Sequence, residues 1–564
     1  MRFGAGFRGA KINEAHRAGA AAAILFSDPL EVARDGLDHV YPSTIWMPAE
    51  GVQRGSLTLE GDPLTPLRPA KPGAYRSRTI EEAQSEGLIM AMPAVPVSYT
   101  TARELLGRME GPEVPEAWRG GLNLTYRIGP GFRDGEKVVV DVKGSVEIKR
   151  IQNVIGYLPG AEEEDRYVIL GNHYDAWTYG SMDPNSGTAI LAEVARAMVN
   201  VSRSSGWKPS RTIMFAAWDA EEFGLIGSTE FVEEFLIPLQ ERAVVYINMN
   251  CFMGNSTIQV DTIPQLYDFV AGAARRVANP LVEEVAAGRT TVYDTWLKMV
   301  PPPSGADPRL PTMPIPAGRS DHSRFLTYPG IPVIDFNYRN ETVHDTYPLY
   351  HSLYETPFVS EHLYDVPEFA VHRATAQLWA EMALSFADEP VLPINMSRLV
   401  DEISLTYVPV VREVMDSLVT SSKDAALAAA SSELAMLEAA LADFKMAIAT
   451  FAVAEARARK GRASEKSNSR LLDGLNRRLM TLERCFVGAT GPEGRPLQRH
   501  LLFAVSGSNT YAATKAMPAV FEALSAFEAA PHASRKVAGR AVALQISVVL
   551  HAVNCATATL RPFI

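Results

Sequence analysis

The chain has 564 residues, far more than one hydrophobic core usually serves, so two to four domains are expected. Hydrophobic residues at 47% and charged residues at 21% are those of an ordinary folded protein, and Lys+Arg 54 against Asp+Glu 65 gives a formal charge of -11, which leaves no basic footprint for nucleic acid. Cys251, Cys485 and Cys555, far apart and odd in number, exclude a disulfide framework and a thiolate zinc cluster without fixing the redox compartment. Asn-x-Ser/Thr sequons at Asn123, Asn200, Asn255, Asn340 and Asn395 point to the secretory route.

The chain opens with neither a basic leader with an apolar core nor a run of about 18 apolar residues, and no later segment reads as long enough to span a bilayer, so the chain as given is expected to be soluble. Residues 1–9 begin as if already inside a domain, and an upstream part is expected to be missing. A helical pattern over residues 10–22 leads into an apolar strand, Ala23-Ile24-Leu25-Phe26. From there to about Arg150 the chain is rich in Gly and Pro, with short β-like runs at 57–59, 137–142 and 146–148, and reads as a mixed first domain.

A second domain, about 151–388, carries three apolar runs: Tyr167 to Leu170, Thr212 to Trp218 and Val244 to Ile247. Each ends on polar side chains, and amphipathic stretches such as 186–198 lie between them, as in a doubly wound α/β sheet with a late strand at 332–336. Ligands of such sheets sit beyond the carboxyl ends of the strands, where His173, Asp183, Glu221, Glu222 and Asn250 fall. The third domain, 389–564, is helical; Leu434, Leu437, Leu441, Phe444, Ile448 and Phe451 recur at steps of three and four, as in the core helix of a bundle.

As a set, the strand-end residues have the composition of a two-zinc hydrolytic site. Zinc takes His nitrogen and carboxylate oxygen in about four positions, and one carboxylate can bridge two ions about 3.5–4 Å apart. Asp183 suits the bridge. Of the adjacent acids, Glu222 is placed as ligand and Glu221 as the base that takes the proton of a zinc-acidified water. A second histidine must come from later in the chain, and the residues alone leave His322, His344, His351 and His362 open.

The runs His173-Tyr174-Asp175-Ala176-Trp177, Asp183-Pro184-Asn185-Ser186-Gly187, Trp218-Asp219-Ala220-Glu221-Glu222-Phe223-Gly224 and Tyr347-Pro348-Leu349-Tyr350-His351 resemble the glutamate carboxypeptidase II family, zinc exopeptidases that share their fold with the transferrin receptor. The similarity extends from Phe7-Arg8-Gly9 through Gly61-Asp62-Pro63-Leu64-Thr65-Pro66 to Asn509-Thr510-Tyr511. It implies a mixed sheet flanked by helices, an apical protease-associated-like domain over 1–150, a zinc peptidase domain over 151–388 and a helical dimerisation domain over 389–564. It further implies one zinc at His173, Asp183 and Asn250 and another at Asp183, Glu222 and His351, with Glu221 as proton shuttle and Tyr350 polarising the scissile carbonyl. Arg8 would fork onto the free carboxylate of a small peptide substrate, in a pocket lined by Phe7, Gly224, Leu225, Thr510 and Tyr511. Thr65, Glu230, Glu233 and the backbone of Arg68 would hold a structural calcium. Members are homodimers with an N-terminal membrane anchor, so an extracellular or cell-surface location is implied if a missing N-terminus carries one.

The chain departs from this pattern at Asn250, where the family has an aspartate ligand, and at Gln259, Asp335 and Asn337, where it has an arginine patch for an acidic penultimate residue. Thr510 replaces a lysine of the glutamate pocket. A zinc carboxypeptidase is therefore weighed against a catalytically silent binding protein of transferrin-receptor type, which Asn250 favours. An aminopeptidase with the same core is disfavoured by Arg8, because such an enzyme needs an acid to receive the substrate's ammonium.

Overall fold

The computed structural model describes residues 1–4, 6–58, 61–340, 346–366, 368–422, 427–460, 466–492, 494–505 and 515–561. The first helix, Arg8–Arg17, is shorter than its apolar pattern because the chain turns at Gly19, whose φ of +87° suits glycine. Strand β1 (Ala23–Phe26) follows as expected and pairs in parallel with β2 (Ala94–Val97), which Pro96 concealed in the sequence. The expected β-like runs are corrected: residues 137–142 and 146–148 form no ladder, with Val139 87% exposed, and neither do Leu57 and Thr58, while Leu59 lies outside the described residues. β-branched composition marks a chain that can extend, but a strand needs a hydrogen-bonded neighbour. Two small apolar clusters hold this region, one around Ile12 and Leu25, the other around Tyr99 and Tyr126.

The second region builds a six-stranded mixed sheet from β3 (Val154–Leu158), β4 (Glu163–His173), β5 (Arg211–Trp218), β6 (Ala243–Asn248), β7 (Thr257–Thr262) and β8 (Val333–Arg339). Its order is β3-β5-β4-β6-β8-β7; the four inner strands run parallel, and β3 and β7 close the edges antiparallel. Inner strands β4, β5 and β6 carry the unbroken apolar runs, as burial on both faces requires, whereas β8 alternates through Asp335 and Asn337. From β4 the chain passes to β5 on one side and later to β6 on the other, so the loops leaving these strands part and open a crevice at their carboxyl ends. The helix Asn185–Ser205 covers the sheet with Ile190, Leu191, Val194 and Met198 and ends at Gly206 in the left-handed conformation.

In the third region the helix Ala428–Lys460 buries all six apolar residues of the expected stripe and packs along Arg535–Leu560. One continuous apolar core joins these helices to the sheet. Two expectations are corrected here. Residues His532–Leu560 do form a helix long and apolar enough to cross a membrane by length and composition, although Val542, Ile546, Val549 and Val553 are spent inside the bundle. The cysteines also pair, Cys485 with Cys555, because the bundle brings together two residues 70 apart in sequence, while Cys251 stays free and buried.

Candidate active site

Three strand ends and three turns deliver the site. His173 is the last residue of β4, Asn250 lies two residues beyond β6, and the turn after β5 carries Glu221 and Glu222. Ala220 and Leu225 flank that turn at φ 56° and 60°, and His351 has φ 57°; such conformations persist in non-glycine residues only where surrounding contacts hold them. Two carboxylates, the half-buried Asp175 and the buried Glu355, do so. Asp175 accepts from the backbone N–H of Glu221 at 3.0 Å and of Glu222 at 3.2 Å. Glu355 accepts from the N–H of Asp183 at 2.6 Å and Met182 at 3.2 Å with one oxygen, and from that of His351 at 3.1 Å with the other. Neither role was foreseen from the sequence; Asp175, two residues after His173, offered a signal, whereas Glu355 offered none.

The geometry selects among the candidate histidines. His351 Nε2 lies 3.3 Å from Asp183 Oδ2 and 3.1 Å from Glu222 Oε2, and these three side chains are the group of His, Cys, Asp and Glu able to hold a metal among the described residues. His322 instead donates to the Ala317 carbonyl at 2.8 Å, His362 is exposed, and His344 lies outside the described residues. His351 Nδ1 faces the Arg54 carbonyl at 3.1 Å, which can only accept, so in the neutral ring Nδ1 carries the proton and the lone pair falls on Nε2. Asp183 Oδ1, Glu222 Oε1 and His351 Nε2 are buried without a hydrogen-bond partner; the ion-pair distances above lack hydrogen-bond alignment. Tetrahedral zinc with ligands at 2.0–2.2 Å would space its donors by about 3.4 Å, so this set fits one ion.

The second expected set fits less well. His173 Nε2 is 3.1 Å from Asp183 Oδ1, but it donates to Asn250 Oδ1 at 2.5 Å, closer than two ligands of one tetrahedral zinc would stand. Electrostatics separate the acids. Burial raises Asp183, but the His173 and His351 imidazoles beside it outweigh that and hold its carboxyl well below the usual range. Burial, then Asp321, Glu222 and Asp183 against the pull of His173, push Glu221 well above it. Burial lowers His351, yet Glu222 and Asp183 raise it to about 9.

Two small chambers meet at this cluster. The first, about 50 Å³, is lined by Phe7, Arg8, Glu221, Glu222, Gly224 and Leu225 among others, so the first region does deliver Arg8 to the strand ends. Arg8 is buried, donates from Nε to the Ser56 carbonyl at 2.8 Å and sits where Gly55 has φ +150°; a Cβ on Gly55 would overlap the guanidinium. The second chamber, about 40 Å³, is lined by Gln259, Asp261, Asp335, Asn337 and Arg339. Tyr350 borders both, its ring stacked on His351 at 3.5 Å. Thr510 and Tyr511 lie outside the described residues. Away from the cleft, Glu230 accepts from the Ala70 N–H at 2.5 Å and Glu233 from the Leu67 N–H at 2.6 Å, which places them against the loop of Thr65 and Arg68; Glu230 Oε1 is buried without a partner.

Residues 153–361 match Peptidase family M28, and residues 432–561 match the Transferrin receptor-like dimerisation domain. A Glutamate carboxypeptidase 2 homolog of Caenorhabditis briggsae is 49% identical over 570 residues, covering 100% of this chain and 73% of that protein. Aminopeptidase NAALADL1 of Mus musculus is 33% identical over 575 residues, again covering 100% and 73%. The solved structure of BSAP, a zinc aminopeptidase from Bacillus subtilis, is 17% identical, covers 69% of each chain and has a TM-score of 0.36, too remote to carry an argument. Half-identical along its whole length to a named relative, and with both the sheet and the bundle matched, the chain belongs to the glutamate carboxypeptidase 2 family of M28 peptidases.

Proposed function

We propose that this peptidase is a zinc-dependent carboxypeptidase that releases the C-terminal residue of small peptides. The observation that carries the reading is that Arg8 and the acids Asp183, Glu221 and Glu222 open on one chamber. Asp183, Glu222 and His351 would hold zinc, which when bound acidifies a water and polarises a carbonyl. Arg8 pairs with the free carboxylate of the departing residue, and Tyr350 donates to the scissile carbonyl oxygen. As the water oxygen bonds to the carbonyl carbon, Glu221 takes its proton; when the C–N bond breaks, Glu221 gives that proton to the leaving amine.

Related features extend the proposal. Thr65, the Arg68 backbone, Glu230 and Glu233 would hold calcium, supported by the unpartnered Glu230 oxygen and by hard oxygen donors. Two copies would pair through the helical domain, 389–564, which exposes Val453, Leu544 and Val537 and carries the match to a dimerisation domain. An oxidising, extracellular setting is supported by the Cys485–Cys555 bond and the exposed sequon residues Asn123 and Asn200. A division at about 150 is supported by the separate apolar clusters of the first region.

An aminopeptidase is the second reading, favoured by Asp261 and Asp335 in the second chamber, either of which could receive an ammonium. Dipeptides blocked at one end separate the two. Cleavage of N-acetyl dipeptides and not of dipeptide amides, lost on chelation and restored by zinc, is the expected result. Cleavage of the amides alone would replace this reading with the second, and activity indifferent to chelation would remove the metal.

A further inference from the structure

Four residues border both chambers: Asp183, Asn250, Arg319 and Tyr350. They form the neck between the two compartments, and a bond whose flanking residues occupy both must lie against them. Roles have been argued for all but Arg319. Its guanidinium makes no hydrogen bond or ion pair with any described residue, and its Nε is buried without a partner. The acids across the second chamber make their hydrogen bonds elsewhere, Asp261 with Gln259 at 2.8 Å and Asp335 with Asn248 at 2.9 Å, so that Arg319 draws on Asp261 by charge alone. A guanidinium without a hydrogen-bond partner among the described residues, at the point where two subsites join, is placed for something that arrives with the substrate.

The same neck is poor in negative charge where a second dication would sit. Asp183 is shared with the Glu222–His351 set, Asn250 is neutral, and its amide oxygen is in contact with His173 Nε2 at 2.5 Å. A fixed cation beside such a set further disfavours a second ion. We infer that Arg319 takes the place of a second metal ion: a single zinc is held by Asp183, Glu222 and His351, and the Arg319 guanidinium binds the scissile carbonyl oxygen as it gains charge. This rests on the peptidase reading above. Arg319 keeps its protons throughout; it donates N–H groups to the oxygen while the C=O pair moves onto it, and the pair returns when the C–N bond breaks.

The experiment measures zinc per chain by mass spectrometry after dialysis, together with kcat and KM on an N-acetyl dipeptide. The wild type is expected to hold about one zinc. Arg319→Gln should lower kcat by about 10²-fold or more, the loss seen when one oxyanion donor is removed, with KM and zinc content little changed. Arg319→Lys should recover part of that loss, which a merely structural role would not give. The double variant Asn250→Asp/Arg319→Gln should hold about two zinc ions. Two ions bound with similar affinity in the wild type, or Arg319→Gln at full kcat, would overturn the proposal while leaving the metallopeptidase reading intact. A wild type that binds no zinc would overturn both.

Discussion

Two acid clusters draw on the segment that follows β5, one buried at Asp183 and Glu222 and one half-buried at Glu230 and Glu233, and they are built differently. Asp183 and Glu222 face histidines, and Asp183 is held well below the carboxylate range although burial opposes it. Glu230 and Glu233 accept from backbone N–H groups; burial first, and then Asp62 and Glu234 at Glu230 and Glu230 itself at Glu233, outweigh the pull of Lys71 and Arg324 and push them up to about 7 and about 8. A cluster in contact with its own cations keeps its shape without an ion, whereas one in which burial and repulsion outweigh Lys71 and Arg324 takes up protons or a cation to persist. Ion removal should therefore end activity at the first cluster and weaken the fold at the second.

The largest effect expected is that of Glu221→Gln, which keeps the shape but cannot accept a proton. Peptidase activity should fall by about 10²–10⁴-fold with zinc content and Tm unchanged; an active variant would move the base elsewhere. Arg8→Leu comes next. Losing a charge-assisted contact of about 1.5–3 kcal/mol should lower kcat/KM for peptides with a free C-terminus by roughly 10–100-fold and leave amidated peptides as they were. Equal losses on both would show that Arg8 holds the fold and not the carboxylate.

The smallest effect concerns pH and the second cluster. Folded Glu230 and Glu233 bind protons more tightly than unfolded ones, so their contribution is present below about 4.5 and is lost as pH rises through about 7 and about 8. Chelated protein should therefore show a Tm that declines by a few degrees over that window. Calcium should restore it at pH 8, and Glu233→Gln should flatten the decline. A chelated Tm that is level or rising across the window would remove the contrast between the clusters.

The parallel strands were legible because unbroken apolar runs such as Val168 to Leu170 state their own burial. Edge strand β3 was not, since half-exposed residues such as Val154 and Tyr157 carry no such signature, and β7 was not because Gln259 and Asp261 interrupt its apolar residues although it is buried. Ligand types at strand ends pointed to the cleft, yet they could not choose His351 over His322; the family resemblance named His351, and the fold turns His322 toward Ala317. The supporting carboxylate Glu355 was invisible for a different reason: it acts on backbone N–H groups, which every residue has, from 172 positions away in the case of Asp183. Cysteine counting failed because an odd total says nothing about whether two of the three meet.

The Cys485–Cys555 bond closes a loop of 70 residues that includes Thr510 and Tyr511. A protease that clips the chain anywhere between the two cysteines leaves both fragments covalently joined. Such a product migrates as an intact chain on a non-reducing gel and separates only after a thiol reductant is added. Clipped and unclipped enzyme would then co-purify, and a preparation of mixed activity would pass as homogeneous unless it is checked under reducing conditions.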